Sequence, residues 1–130
     1  MDMTEAILTA NQAFYDAFAR GDYYAIEALW AKEHMVSVVH PGWGDLHGIE
    51  AVMESWQRIM EGGRQHAIRC EQATVYQFKG LAYVLCREVF PSGELIATNI
   101  FVLEEGQWRM VHHQAGPLNR VASGNDQALH

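Results

Sequence analysis

Met35-Val36-Ser37-Val38-Val39-His40-Pro41-Gly42-Trp43-Gly44 is a β-rich run that ends abruptly in a histidine, a proline and a tryptophan. Pro41 removes a ladder donor, so the strand stops there. Strand ends that break into loops are where rigid scaffolds present chemistry. A titratable imidazole beside a large aromatic, at the mouth of an apolar sheet, points to a pocket.

Downstream, Gly48 precedes a helix with clear periodicity: Ile49, Val52, Met53, Trp56, Ile59 and Met60 recur on one face, and Gly62-Gly63 ends it. Upstream, Thr4 is expected to cap a first helix running to about Arg20, with Ile7, Asn11, Phe14 and Phe18 as a stripe widened by Leu8 and Tyr15. Gly21 ends that helix and Asp22 caps a short second one, Tyr23 to Trp30. Met35 to His40 is the first strand. The rest reads as a meander: Gln65 to Phe78, bulged near Glu71-Gln72, then Leu81 to Phe90, Glu94 to Glu104 and Gln107 to Ala115. Turns fall at Lys79-Gly80, Pro91-Ser92-Gly93 and Glu105-Gly106. The order α-α-β-α-β-β-β-β argues an α+β fold, with three N-terminal helices on one face of a strongly curved, mostly antiparallel sheet. Residues 1–118 form the domain, and 119–130, polar and small, form a loosely held tail. Ile96, Ile100 and Val102 lie on one side of their strand, Phe101 and Leu103 on the other. Helices cover only one face, so the other is expected to be buried in a homodimer formed through the sheet.

A chain of 130 residues buries a real core without metal or disulfide staples. Its formal net charge is −7, and its only lysines are Lys32 and Lys79. A nucleic-acid or anionic-membrane surface needs a basic face to displace counterions, so neither is an expected partner. Cys70 and Cys86 fall in predicted strands and read as two buried thiols rather than a disulfide. The acidic N-terminus lacks the pattern of a signal peptide, and no apolar run approaches the ~20 residues that span a bilayer. A cytoplasmic location is expected.

Phe14-Tyr15-Asp16-Ala17-Phe18-Ala19-Arg20-Gly21-Asp22, then Leu29-Trp30, His40-Pro41-Gly42-Trp43, Leu46-His47-Gly48 and Trp108-Arg109-Met110-Val111-His112-His113 carry a resemblance. The chain resembles the SnoaL-like branch of the nuclear-transport-factor-2-like (NTF2-like) superfamily, to about residue 118. The resemblance implies a cone-shaped fold with an open mouth. It implies no single function, because the superfamily includes ketosteroid isomerases, polyketide cyclases, dehydratases, epoxide hydrolases, transport factors and kinase association domains. Ketosteroid isomerases place an aspartate base directly before a proline; here that position is His40. Their oxyanion-binding aspartic acid falls on Asn99, and their oxyanion tyrosine on Phe14. The chain departs from that set at all three positions.

His40 remains a base able to exchange protons near neutral pH, and Asn99 an amide able to donate to an oxyanion. The alternatives are a histidine capping loop carbonyls and an amide satisfying strand-end groups. If Glu105-Gly106 is a two-residue turn, Asn99 pairs opposite His112, and Asn99, Phe101, Leu103, Trp108, Met110 and His112 share a face. A loop one residue longer brings in His113 instead. His40, Asn99 and His112 are therefore the expected catalytic set, with the outward histidine at the dimer face. Phe14, Tyr15, Trp30, Trp43, Phe101 and, in the alternative register, His113 are the expected ligand contacts. Trp56 reads as core. Glu71 and Glu88 read as solvated carboxylates, with an inward orientation left open by strand phase. His40, His47 and His112 lack metal-ligand spacing, and no glycine-rich phosphate loop exists, so no metal or cofactor is expected. The expected ligand is a small apolar or aromatic organic molecule, with or without a carboxylate. The reading is either a binding protein, an acid/base isomerase, lyase or hydrolase with His40 as base, or a non-catalytic association module.

Overall fold

The computed structural model describes residues 1–63 and 67–118. Three helices, α1 (Thr4–Arg20), α2 (Tyr23–Leu29) and α3 (Ile49–Glu61), pack on one face of a six-stranded sheet. The strands are β1 (Ser37–Val39), β2 (Leu46–His47), β3 (Arg69–Phe78), β4 (Leu81–Phe90), β5 (Gly93–Glu104) and β6 (Gln107–Pro117), in the spatial order β2-β1-β6-β5-β4-β3. All pairs are antiparallel except β1 with β6. This is the expected α+β class with one additional strand. At two residues, β2 carries no alternation that a sequence could show. The expected tail, 119–130, lies outside the described residues, as does the expected strand start at Gln65. Among the described residues no helix is long and apolar enough to cross a membrane.

Local chemistry sets the element ends. Thr4 is the first helical residue and not the cap; its N–H donates to the Asp2 carboxylate at 2.9 Å. Gly21 takes φ 70 after α1, where a side chain would be strained, and Asp22 accepts from Ala25 N–H to start α2. The first strand is shorter than Met35 to His40 because its flanking carbonyls are spent elsewhere. Val36 O accepts from Gly48 N–H at the head of α3, and His40 O accepts from Trp43 N–H in a turn.

The helices present the expected stripes. Ile7, Phe14, Tyr15 and Phe18 on α1 and Val52, Met53, Trp56 and Met60 on α3 are buried. Two polar side chains sit in these stripes: Asn11 on α1 and Ser55 on α3. Ile49, counted in the α3 stripe, is 41% exposed.

Two bulges bend the sheet. The β3–β4 register shifts between Glu71 and Thr74, where Gln72 takes φ 56, as expected near Glu71-Gln72. The second was not expected. Phe101 pairs with Met110 but Ile100 pairs with His112, which leaves Val111 as the extra residue.

The segment between α2 and β1 hangs on one carboxylate. Glu104, at the end of β5 and almost fully buried, accepts from the backbone N–H groups of Lys32 and Glu33, both at 2.9 Å, and from His34 Nδ1 at 2.7 Å. Arg109 Nε lies 3.6 Å away. Desolvation pushes this carboxyl up, but the bonds from His34, Lys32 and Glu33 outweigh it and hold it down at about 2. Glu104→Gln replaces an acceptor by an N–H facing donors, and is expected to cost about 1–3 kcal/mol in urea unfolding at pH 7. The lowered pKa means that this contribution is present above the unfolded value of about 4.3 and is lost as pH falls toward 2. The difference between wild type and Glu104→Gln should therefore shrink across that window.

Candidate functional site

A cavity of about 210 Å³ opens between α1, α3 and the inner face of the sheet. Its wall is mostly apolar: Phe14, Phe18, Trp56, Ile59, Ile68, Phe90 and Leu95 among others. The polar side chains that reach it are Tyr15, His40, Glu88 and His113.

The parallel β1–β6 pairing builds one side. Val38 lies beside His113, and the period of two along β1 puts His40 on the same face. His40 is buried, with its ring edge-on to Trp56 at 4.6 Å and to Trp43 at 5.0 Å. His40 Nε2 meets Ser55 Oγ at 2.8 Å, and that hydroxyl donates to Val52 O at 2.7 Å. The serine proton is thus spent, so His40 Nε2 must carry the hydrogen, and Nδ1 keeps its lone pair. Burial lowers the His40 pKa to about 4.

The histidine of the adjacent pair that enters the cavity is His113, not His112. The turn at Glu105-Gly106 has two residues as expected, but the extra Val111 flips every later side chain of β6. Asn99 therefore pairs with His113. His112 lies on the other face, its Nδ1 2.7 Å from Ser37 Oγ, and takes no part in the cavity wall.

Asn99 stands behind the wall rather than in it. It has no exposed surface. Its Nδ2 donates to Asn11 Oδ1 at 2.9 Å and to Tyr15 Oη at 3.1 Å, while its Oδ1 accepts from His113 Nδ1 at 2.5 Å. Both amide hydrogens are used, so Asn99 has none left for a ligand oxyanion. An amide oxygen only accepts; His113 therefore carries its hydrogen on Nδ1 and presents Nε2 as an acceptor. Burial, then the neighbouring His40 and His112, lower the His113 pKa to about 3.

Glu88 completes the set. Read from the sequence as a solvated carboxylate, it points inward from β4 and is buried. Tyr15 Oη donates to its Oε2 at 2.7 Å. Its other oxygen has no hydrogen-bond partner among the described residues. Burial pushes its carboxyl up, more than the Tyr15 bond lowers it. His113 Nε2 lies 3.7 Å from Glu88 Oε2, beyond hydrogen-bond reach. Burial thus pushes one group toward the neutral acid and the other toward the neutral imidazole. Period-two phase, counted from Ala82 and Val84 as core, was the only sequence signal for Glu88.

The other expected contacts separate. Phe14 and Tyr15 line the cavity. Trp30 and Phe101 are wholly buried core and do not. Trp43 packs on His40 at 37% exposure, outside the cavity wall. Trp56, expected as core, is also wall, and its Nε1 is a buried donor without a partner. His47 is exposed, with its Nε2 2.6 Å from Asp45 Oδ2. Among the described residues no group of three or more His, Cys, Asp or Glu is placed to hold a metal. Cys70 and Cys86 are free thiols beneath Asn11 and Tyr15.

Unfolded imidazoles bind a proton near pH 6.5, whereas His40 and His113 resist until about 4 and about 3. Below about 6.5 the unfolded chain holds more protons, so these two groups erode stability as pH falls. Glu88 has the opposite sign, because it keeps a proton that the unfolded chain releases above about 4.3. The NMR signals of the His40 and His113 rings should stay unprotonated from pH 8 to pH 5. Glu88→Gln should gain stability relative to wild type as pH rises over the same range.

A Streptomyces avermitilis structure, of a proposed dehydratase from the NTF2-like family, is similar at 30% identity, covering 89% of this chain and 96% of that one, with a TM-score of 0.79. A proposed calcium/calmodulin-dependent protein kinase type II association domain from Thiobacillus denitrificans is similar at 29% identity, covering 85% and 93%, with a TM-score of 0.73. The Arabidopsis thaliana F-box protein SKIP8 is 24% identical over 114 residues, 86% of this chain. The chain spans about half the length of that relative, 49%. Residues 7–118 match the model of the SnoaL-like domain, and with the fold just described this chain belongs to the SnoaL-like family.

Proposed function

We propose that this protein binds a small, neutral, largely apolar organic molecule in the cavity beside His40. The observation that carries this is an apolar wall whose polar groups all favour their uncharged forms, with no lysine or arginine among the described residues that line it. At about 210 Å³ the cavity is larger than the roughly 150 Å³ that takes benzene. It is below the ~300–1,000 Å³ of drug-sized sites, so one or two rings fit. A carboxylate-bearing ligand, one option raised by the sequence, is the poorer fit. It would be desolvated beside Glu88, with no cation among the described wall residues to meet it. Acetophenone should quench tryptophan fluorescence saturably through the Trp56 wall, and benzoate should bind at least about tenfold more weakly. Equal affinities, or no binding of either, would sink this reading.

A second reading, acid/base catalysis, is favoured by one observation: an acid and two imidazoles share one cavity. The Streptomyces avermitilis relative, a proposed dehydratase, supports it. His40 has only Nδ1 left as a base, and at about 4 its pKa makes it a weak one at neutral pH. On this reading turnover rises through pH 4 to a plateau and disappears in His40→Ala.

We also infer a homodimer through the outer face of the sheet. Tyr76, Tyr83, Leu85, Ile96, Ile100 and Val102 lie on that face, away from the helices. Tyr76, Phe78 and Leu81 on that face are 40%, 56% and 39% exposed, and a two-fold axis lets one apolar patch cover its own copy. The kinase association relative fits an assembly role as well as a binding one. Analytical ultracentrifugation of Ile100→Glu should show a monomer where the wild type sediments as a dimer. Free thiols at Cys70 and Cys86 fit a reducing, cytoplasmic setting.

A further inference from the structure

The wall of the cavity holds its unspent polar atoms in fixed protonation states, and they form a pattern. His113 gives its one hydrogen to Asn99 Oδ1, so Nε2 is an acceptor and only an acceptor. Asn99 has no freedom to reverse this, because both hydrogens of its Nδ2 are held by Asn11 Oδ1 and Tyr15 Oη. Tyr15 in turn gives its hydrogen to Glu88 Oε2. Glu88 is buried and its carboxyl is pushed up by that burial, toward the neutral acid, whose hydrogen then falls on the second oxygen because Oε2 already accepts from Tyr15. The Glu88 carboxyl and the His113 acceptor are neighbours in the cavity wall, with Glu88 Oε2 3.7 Å from His113 Nε2 and not bonded to it.

Resting on the reading that the cavity binds a neutral molecule, we propose that its ligand carries a carbonyl and a hydrogen-bond donor on adjacent atoms, as a lactam does. The carbonyl accepts from Glu88 and the adjacent N–H donates to His113 Nε2. Glu88 and His113 are then the residues that set specificity, and Tyr15 and Asn99 are positioning residues. A plain hydrocarbon leaves both groups unpaired in an apolar site, which costs more than a bond of ordinary strength gains. The groups facing Glu88 are Tyr15 from α1, His113 from β6, His40 from the loop after β1 and Cys86 on its own strand, with Cys70 across on β3. Among the described residues that line the cavity, no lysine or arginine offers to hold Glu88 as a carboxylate.

The test compares 2-quinolone with N-methyl-2-quinolone and naphthalene by calorimetry or tryptophan quenching on the full chain. All are two-ring molecules, and they differ in the donor and the carbonyl. 2-Quinolone should bind more tightly than its N-methyl form by on the order of tenfold. Glu88→Gln, whose amide accepts from Tyr15 and still donates to the carbonyl, should keep that affinity within about threefold, whereas Glu88→Leu should lose about tenfold. Equal affinity of 2-quinolone and its N-methyl form overturns the donor–acceptor pairing while leaving the cavity as an apolar site. Failure of all three compounds to bind overturns the binding reading itself. The ligand comparison on the wild type decides the matter even where Glu88→Leu fails to fold.

Discussion

The structure depends on the side chain of Asn99. It has no exposed surface, and its amide must find partners for two hydrogens and an oxygen inside the core. It finds them on two elements at once: Asn11 and Tyr15 from α1, and His113 from β6. An unmet buried amide costs more than a met one gains, so this one group fixes the rotation and height of α1 over the sheet. Phe14, Tyr15 and Phe18 then close one side of the cavity as a consequence.

The same constraint explains the chemistry of the cavity. A histidine in contact with water would exchange its tautomers and titrate near neutrality. Here His113 is locked by Asn99 and His40 by Ser55, and both are held neutral by burial. Glu88 is driven the other way, toward its neutral acid, by the same lack of water. A cavity whose titratable groups are pushed toward their uncharged forms favours discrimination by hydrogen-bond direction and shape. That is the physical ground on which a binding role outweighs a proton-transfer role, since a base with a pKa of about 4 has little driving force at pH 7.

Backbone irregularity is where specificity entered. Two bulges bend the sheet, and the one at Val111 decides which of two adjacent histidines faces the cavity. Without it, Asn99 would pair with His112, and His113 would turn to the other face of the sheet. On the opposite side, the Glu104 carboxylate ties the segment before β1 to the end of β5, and so holds β1 parallel to β6 with His40 at its tip.

The sequence by itself determined the α+β class, the helices and most strand limits, because these follow from local periodicity and from turn residues such as Gly21, Asp22 and Lys79-Gly80. It also marked His40, since a proline ends the strand just after it, where a scaffold opens into a loop. Phe14 and Tyr15 were legible as parts of an amphipathic stripe. Only the tertiary structure decided which residues of that stripe face a cavity and which, like Trp30 and Phe101, are core, because burial depends on what packs opposite. It alone placed Glu88 inside, where a carboxyl among apolar strands runs against its usual preference for water. It alone chose His113 over His112, because a bulge is a property of paired strands, and a single extra residue within a strand leaves no local mark in composition. The roles of Asn11, Ser55 and Asn99 were hidden for the same reason, since a polar side chain acquires its meaning from a partner distant in the chain.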